Sequence, residues 1–195
     1  MSTSGNARAG RRAGASTTRE DILAAARGLF AERGYDKTTI RAIAGRAGVN
    51  PALVHHYFGS KEQVFAAVLE FPADPAALRA RLLDGPREEF GRRVLTELLT
   101  VWTDPSGRES GLALVRAAMT NPVAAAMLRQ FVERVLLDQV AEALGADRLR
   151  VSAAVAQALG LMVLRYGVGV EPLASAEIPE LVELIAPVVQ AYVDG

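Results

Sequence analysis

The sequence predicts an all-α protein of about nine helices, and three observations lead to this prediction. Apolar residues recur at spacings of three and four along most of the chain, as on one face of a helix. These stretches begin or end at Ser, Thr, Asn, Asp, Gly or Pro, the residues that favour helix termini. No run of alternating β-branched residues competes with them.

The N-terminal stretch divides into an arm and a first helix. Residues 1–16 are rich in Gly, Ala, Ser and Arg and lack apolar periodicity, which predicts a disordered basic arm. Thr17, with Glu20 three residues later, has the pattern of a capping box. We therefore expect the first helix to begin at Thr17 and to end at Gly34.

Three short helices are predicted next, each beginning at a polar capping residue. The third of the four helices also has Pro51 in its first position, which is a favoured arrangement. Their expected bounds are Thr38 or Thr39 to Gly48, Asn50 to Tyr57 or Phe58 before Gly59, and Ser60 to Pro72. Together with the first helix they form a predicted domain over residues 17–71.

The rest of the chain, residues 72–195, is predicted to be a second helical domain. A loop is expected from Asp104 to Gly107, because Asp, Pro, Ser and Gly follow one another there. The predicted helices span residues 75–83, 86–102, 109–120, 122–144, 147–169 and 178–193.

Composition limits the classes of protein and site. The chain has no Cys, so it has neither a disulfide framework nor a thiolate metal site. The first residues lack the apolar stretch of a signal peptide. The run from Val151 to Val170 is interrupted by polar residues and glycines, so we expect no membrane span and no membrane partner. A cytoplasmic location is the expectation.

Charge is distributed unevenly along a chain whose net charge is zero. Residues 1–61 contain ten Lys or Arg and four Asp or Glu, whereas residues 62–195 contain twelve and eighteen. A basic N-terminal part joined to an acidic body indicates that a polyanion binds at the N-terminal part.

The two short helices joined at Gly48 and Val49 have the pattern of a helix-turn-helix motif, whose second helix enters the major groove of DNA. With Val54 taken as buried, the ~100° step per residue of a helix turns Ala52 and His56 outward. Leu53 and His55 flank that outward face, and Tyr57 lies at its edge. This face contains no acid and lies beside the cations Arg41, Arg46 and Lys61, which suits a phosphate surface.

His55 and His56 are the only histidines of the chain, and three roles were open to them: metal ligation, acid–base catalysis or contact with a polyanion. Helical metal pairs need i, i+4 spacing, and no carboxylate lies at that spacing from either histidine. We therefore predict no metal site, no catalytic residue and no cofactor.

Each predicted contact to DNA has a physical role. Imidazole and phenol groups donate hydrogen bonds to phosphate oxygens, as do the backbone N–H groups near Thr39 and Lys61 at helix starts. Arg41 is long enough to reach a guanine edge, while Ala52 and Leu53 offer apolar contact with a thymine methyl group.

Residues 17–69 resemble the N-terminal domain of the tetracycline-repressor (TetR) family. The resemblance rests on GYDKTTIRAIAGRAGV, on the aromatic end of the next helix at Phe58, and on SKE at the start of the fourth helix. It implies a homodimeric transcriptional regulator, usually a repressor, that leaves its double-stranded operator when a small-molecule effector binds. By position it implies DNA contacts from Thr39, Arg41, Pro51, Ala52, Leu53, His55, His56, Tyr57 and Lys61.

A ligand pocket is expected among the helices of residues 86–166. Arg116 and Arg165 each lie in an apolar stretch, where a charge needs a partner; that partner is either an anionic ligand or an internal salt bridge. The other candidates are Met and aromatic residues at helical spacing, which also suit an ordinary core. They are Phe90, Leu98, Trp102, Met119, Met127, Phe131, Met162 and Tyr166.

The resemblance further implies that the last two long helices form a four-helix interface with a second copy. Part of the same face also suits the core of a monomer. The expected interface residues are Ala153, Ala156, Gly160, Leu181, Leu184, Ile185, Val188 and Val189.

Two other functions remain open at this point. One is a DNA-binding dimer without a ligand, whose body would be filled by side chains. The other is a helical protein that binds or converts a small molecule and carries a vestigial DNA-binding head.

Overall fold

The computed structural model describes residues 7–194, with side chains from residue 17 onward. Every regular element in this part of the chain is helical, and it contains no strand, which confirms the all-α prediction. The chain divides into two compact units, one ending at Leu69 and the other beginning at Glu70.

The first unit contains four helices: α1 (Ala7–Lys37), α2 (Ile40–Ala47), α3 (Pro51–Phe58) and α4 (Lys61–Val68). The predicted start of α1 at Thr17 is wrong, because the helix already begins at Ala7. Residues 7–16 are mostly Ala and Arg, which have high helix propensity. Residues 1–6 of the predicted arm lie outside the described residues. Gly34 interrupts α1 with φ 75°, so the predicted break at this glycine is confirmed.

The three short helices begin at their predicted capping residues. Thr39 Oγ1 accepts a hydrogen bond from the N–H of Ala42 at 3.1 Å, and Ser60 Oγ accepts one from Gln63 at 3.2 Å. Asn50 Oδ1 accepts one from Ala52 at 2.8 Å. Each cap satisfies a backbone donor that has no partner inside its helix. The predicted end of α4 at Pro72 is wrong, since Glu70 adopts φ 53° and α4 stops at Val68.

All four helices contribute to the core of the first unit. The rings of Phe30 and Phe65 lie 4.4 Å apart, and apolar side chains from all four helices, among them Ile43 and Val54, are fully buried. Thr38 is buried as well, and its hydroxyl donates to the carbonyl of Gly34 at 2.8 Å. This packing fixes the orientation of α2 and α3.

The second unit contains seven α-helices. They are α5 (Pro75–Leu83), α6 (Phe90–Thr103), α7 (Pro105–Thr120), α8 (Pro122–Phe131), α9 (Asp138–Leu144), α10 (Arg148–Met162) and α11 (Ile178–Asp194). A single 3₁₀ turn, Arg87–Glu89, precedes α6. The predicted loop from Asp104 to Gly107 is wrong: Asp104 caps α7, accepting a hydrogen bond from Gly107 N–H at 2.8 Å, and Pro105 occupies the first helical position.

Two π-helical segments extend the long helices of this unit. The first, Val132–Leu137, joins α8 to α9, and the second, Val163–Val168, continues α10. The long helices predicted over 122–144 and 147–169 are therefore continuous, but each contains a wider turn.

Helices α6 and α11 approach each other closely at Gly91. An added Cβ at this position would lie 2.3 Å from the carbonyl oxygen of Ala186. The N–H of Gly91 donates to Gln190 Oε1 at 2.9 Å, and Gln190 Nε2 donates to the carbonyl of Arg87 at 3.0 Å. Glycine at position 91 thus lets the two backbones meet.

Within residues 7–194, one helix, Arg148–Val168, is by length and composition apolar enough to span a membrane, with a mean hydropathy of 1.5 over its most apolar window. The sequence argument that this run is too polar for a span is wrong by that measure. In the second unit the same helix contributes Val151, Ala154, Ala158 and Met162 to the core, as the core helix of a globular unit does.

Candidate nucleic-acid interface and cavity

Helices α2 and α3 expose most of the predicted DNA contacts. Thr39, Arg41, Ala52, His55 and His56 are exposed. Pro51, Leu53, Tyr57 and Lys61 are half-buried. Val54 and Phe58 are buried, so the helical phase assigned to α3 is correct.

The two histidines differ in their contacts. His55 Nδ1 lies 2.8 Å from the carbonyl oxygen of Gly59. A carbonyl oxygen only accepts, so Nδ1 carries the proton, and in the neutral ring Nε2 is then an acceptor. The His56 ring meets the edge of the Tyr57 ring at 5.5 Å. His55 therefore supports the end of α3, whereas His56 is held only by a ring contact.

Lys61 is tied to its own unit. Its ammonium donates to the carbonyl of Tyr35 at 3.0 Å and lies 4.1 Å from the centre of the Tyr35 ring. Burial lowers the pKa of Lys61, and nearby Asp36 opposes this effect. A lysine has three N–H donors, so the Tyr35 bond leaves donor capacity for a phosphate.

The two arginines of α2, Arg41 and Arg46, differ in their ion pairing. Arg46 forms a two-pronged ion pair with Glu32, at 2.8 and 2.7 Å, and this pair lowers the pKa of Glu32 below its ordinary value. The sequence reasoning counted Arg46 among the cations beside the outward face, but its charge is neutralised. Arg41 is exposed and has no ion-pair partner among the described residues.

The surface around α3 favours anions. Helices α2 and α3 contain no Asp or Glu, and three capped helix starts supply backbone N–H groups with the positive end of the helix dipole. Arg41, His56 and Tyr57 add side-chain donors. Chemically, this arrangement can hold phosphates and can present Ala52 and Leu53 to an apolar group.

The second unit contains a partly open cavity of about 190 Å³. Its lining comes from the segment before α5, from α5 to α10, and from the first π-helical segment, and every lining side chain is aliphatic or aromatic. Trp102 of α6 lines it next to Gly111 of α7, where an added Cβ would lie 2.7 Å from the indole ring.

Four of the ten predicted ligand contacts line this cavity: Phe90, Leu98, Trp102 and Met162. Met127 and Phe131 are buried away from it, and Met119 is 83% exposed. Tyr166 is half-buried outside the lining, where its hydroxyl lies 3.0 Å from Thr103 Oγ1. Met119, Met127, Phe131 and Tyr166 therefore lie outside the lining of this cavity. Helical spacing alone does not show which side of a helix faces an internal space.

The two candidate arginines do not reach the cavity. Arg116 is exposed, so no buried charge has to be balanced there. Arg165 donates to the carbonyl of Leu173 and packs 5.3 Å from the Tyr166 ring centre, while its Nε is buried without a partner. For Arg165 the structure thus shows a third arrangement beside the anionic ligand and the internal salt bridge, namely a bond to a backbone carbonyl.

Sequence reasoning missed most of the lining, including Leu78 and Leu82 of α5 and Val132 of the π-helical segment. Leu78 and Leu82 stand four apart, which was a usable signal for a common face. The pocket was expected among residues 86–166, a range that excludes both leucines.

The predicted interface residues fall into two groups. Ala156, Gly160, Leu184 and Val188 are exposed, and Ala153 and Ile185 are half-buried. Leu181 and Val189 are 2% and 0% exposed, so assigning them to contacts with a second copy was wrong. They pack inside their own chain, because α11 turns one face to α6 and α10 and the other outward.

No group of three or more His, Cys, Asp or Glu in the described part of the chain is arranged to hold a metal ion.

Two family models match the chain. Residues 22–68 match "Bacterial regulatory proteins, tetR family", and residues 88–193 match "Tetracyclin repressor-like, C-terminal domain". The two matches fall within the two structural units.

Individual relatives agree with these models. The chain is 36% identical to a TetR-family regulator of known structure from Streptomyces coelicolor A3, covering 92% of this chain and 96% of that one, with a TM-score of 0.47. It is similar in fold to the fatty acid degradation regulator FadR from Bacillus halodurans, at 16% identity and a TM-score of 0.51, over 88% and 97% of the two chains.

Curated relatives match over shorter lengths. The transcriptional repressor Rv3405c of Mycobacterium tuberculosis is 55% identical over 49 residues, 25% of this chain and 26% of the relative. The Escherichia coli regulator UidR is 30% identical over 118 residues, 59% of each protein. The chain thus spans about a quarter of the mycobacterial relative and less than two thirds of UidR.

Proposed function

We propose that this chain, which belongs to the TetR family of bacterial helix-turn-helix transcriptional regulators, is a homodimeric repressor that binds an operator. In this proposal the first unit binds double-stranded operator DNA. Binding of a small molecule in the cavity of the second unit releases the protein from the operator. The observation that carries the proposal is the exposed, acid-free α3 face beside an unpaired Arg41.

The proposed DNA contacts divide into two kinds. Phosphates are held by Thr39, His56, Tyr57, Lys61 and the capped helix starts, which position the protein without reading sequence. Base edges are read by Arg41, whose guanidinium can bond two acceptors of a guanine, and by Ala52 and Leu53 through apolar contact. Pro51 starts the recognition helix, and His55 holds its end.

The proposed dimer uses the outward face of α10 and α11. Ala156 and Gly160 of α10 and Leu164 of the π-helical segment that continues it follow one another at intervals of four, and Leu184 and Val188 do so on α11. All five are exposed in the single chain, Leu184 at 67% and Val188 at 46%. An apolar face of this kind on two adjacent helices supports packing against a second copy.

The cavity favours the ligand-responsive regulator over the alternative function, a DNA-binding dimer that needs no ligand. The ligand-independent alternative required a body filled by side chains, whereas the second unit contains a partly open cavity of about 190 Å³. We propose Phe90, Leu98, Trp102 and Met162 as ligand contacts, because they line this space.

DNA binding is tested with an operator selected from random oligonucleotides by the full chain. Fluorescence anisotropy is measured for Arg41→Ala and for Arg129→Ala, an exposed arginine of α8 that gives the same change of charge. Loss of a two-bond arginine–guanine contact costs about 1–3 kcal/mol, so Arg41→Ala should weaken binding by roughly 5- to 150-fold. Equal affinities for the two variants would remove Arg41 from the interface.

The dimer is tested by sedimentation. Leu184→Glu places a charge in the proposed interface and should yield a monomer, whereas Met119→Glu changes another exposed apolar residue, 83% exposed, outside that face. A Leu184→Glu protein that remains dimeric would exclude this face as the interface.

A further inference from the structure

We propose that the cavity of the second unit takes a compact, uncharged, apolar molecule with about the bulk of one substituted benzene ring. The proposal rests on the proposed function in one respect, namely that the occupant of this cavity is the effector. It narrows the effector to a chemical class and excludes anions and cations.

The lining defines the chemistry. Aliphatic and aromatic side chains form the entire wall, among them Phe90 and Trp102 of α6, Val115 of α7 and Met162 of α10. None of these side chains carries a charge, a hydroxyl group or an amide. Apart from the indole N–H of Trp102, the lining side chains therefore offer no partner to a buried polar group of a ligand.

The arginines nearest to this question do not line the cavity. Arg165 donates to the carbonyl of Leu173, and its unpartnered Nε lies outside the lining. Arg79 donates to the carbonyl of Val135 at 3.1 Å. Arg116 is exposed. Because none of the three lines the cavity, an ionised ligand would enter without a counter-charge.

The expected size of the ligand follows from the cavity volume of about 190 Å³. A protein cavity of about 150 Å³ lined by Leu, Ile and Phe stays dry and binds benzene. The present cavity is somewhat larger and has the same kind of lining. It fits one ring with a short substituent, and it is smaller than the roughly 300–1,000 Å³ pockets that hold drug-sized ligands.

Trp102 provides a direct measurement of occupancy. It is the only tryptophan of the chain, it is 4% exposed, and it lines the cavity. A ring placed beside the indole changes its emission, so a fluorescence titration of the full chain reports binding at this site without DNA.

The probes are ethylbenzene, benzoate and benzamidine, which share one ring and differ in charge, and biphenyl, which adds a second ring. We expect ethylbenzene to change Trp102 emission and to raise Tm. An unpaired buried charge costs several kcal/mol, so benzoate and benzamidine should bind at least ~100-fold more weakly. Biphenyl should bind at least ~10-fold more weakly, because its second ring would overpack the lining.

A filling variant locates the effect. Val115→Phe adds a ring to the lining and should reduce ethylbenzene affinity at least ~10-fold, again through overpacking. Val123→Phe is the matched control, since Val123 is 52% exposed and outside the lining, and it should bind as the unchanged chain does. Should Val115→Phe fail to fold, the probe series on the unchanged chain still decides the question.

The outcomes separate this inference from the proposed function. Preferential binding of benzoate, benzamidine or biphenyl, or a Trp102 signal from none of the probes, overturns the inference, while operator binding measured by anisotropy stands independently. Ethylbenzene binding by a chain that selects no operator supports the inference and refutes the DNA-binding proposal. Ethylbenzene binding that also weakens operator affinity, with benzoate inactive, supports both.

Discussion

Replacing Gly91 by alanine is expected to weaken the packing of α6 against α11. The added Cβ would lie 2.3 Å from the carbonyl oxygen of Ala186 and 2.7 Å from the backbone nitrogen of Gln190. Ordinary van der Waals contact begins at 3.4 Å, and both opposing atoms are backbone, which cannot rotate away. The two helices must therefore separate by about 1 Å at this point.

The expected loss follows from three terms. Overpacking of this kind costs about 1–3 kcal/mol, and separation also strains the Gly91–Gln190 hydrogen bond, worth about 0.5–1.5 kcal/mol. Alanine regains up to about 1 kcal/mol through its better helix propensity. We expect a net decrease of about 1–3 kcal/mol in the free energy of unfolding, the sum of these opposing effects.

The measurement is guanidinium denaturation followed by circular dichroism, with Gly160→Ala as the matched control. No atom lies within 4 Å of the Cβ position at Gly160, so that variant should be as stable as the unchanged chain or up to about 1 kcal/mol more stable. Because Gly160 lies on the proposed dimer face, the oligomeric state of each variant is checked first. A Gly91→Ala chain at least as stable as Gly160→Ala would refute the close approach.

Three further predictions concern the first unit. The Arg46 guanidinium holds the pKa of Glu32 below its ordinary value. This pair therefore stabilises the fold at pH values above the ordinary pKa of Glu, and its effect is lost as pH falls through the lowered pKa. Glu32→Gln should flatten the acid side of a pH–stability profile. Thr38→Val should lower the free energy of unfolding by about 1–2 kcal/mol through lost hydrogen bonds, whereas Thr38→Ser, which keeps the hydroxyl and loses one buried methyl group, should lower it by about 0.8 kcal/mol. In anisotropy titrations both His55→Ala and His56→Ala should weaken operator binding, but thermal melts should detect destabilisation in His55→Ala alone.

The order of helices was predictable because their ends are encoded locally. The side-chain oxygens of Thr39, Asn50 and Ser60 each accept a hydrogen bond from a backbone N–H only two or three residues later in the chain. Such short-range chemistry is visible in sequence. The outward face of α3 was predictable for the same reason, since one buried reference residue fixes the phase of a regular helix.

The cavity and its neighbours were not predictable, because they depend on contacts between distant segments. Arg165 appeared to need an anion until the fold brought the carbonyl of Leu173 to it. Leu181 and Val189 share the apolar pattern of Leu184 and Val188, yet only the packing of α11 on α6 shows which pair is buried. The ion pair of Arg46 likewise spans 14 residues of sequence.

The π-helical segment Val132–Leu137 has a consequence for how the cavity can change over evolutionary time. A π turn holds one residue more than an α turn, so the helix after it is rotated by about one residue, or ~100°. Val132, Leu136 and Leu137 line the cavity from this segment, and Val140 does so from α9 beyond it. Deleting one residue here would convert the turn to regular α-helix and turn a different set of α9 side chains inward. A single codon lost or gained at this position could thus exchange part of the cavity wall at once, which no point substitution achieves.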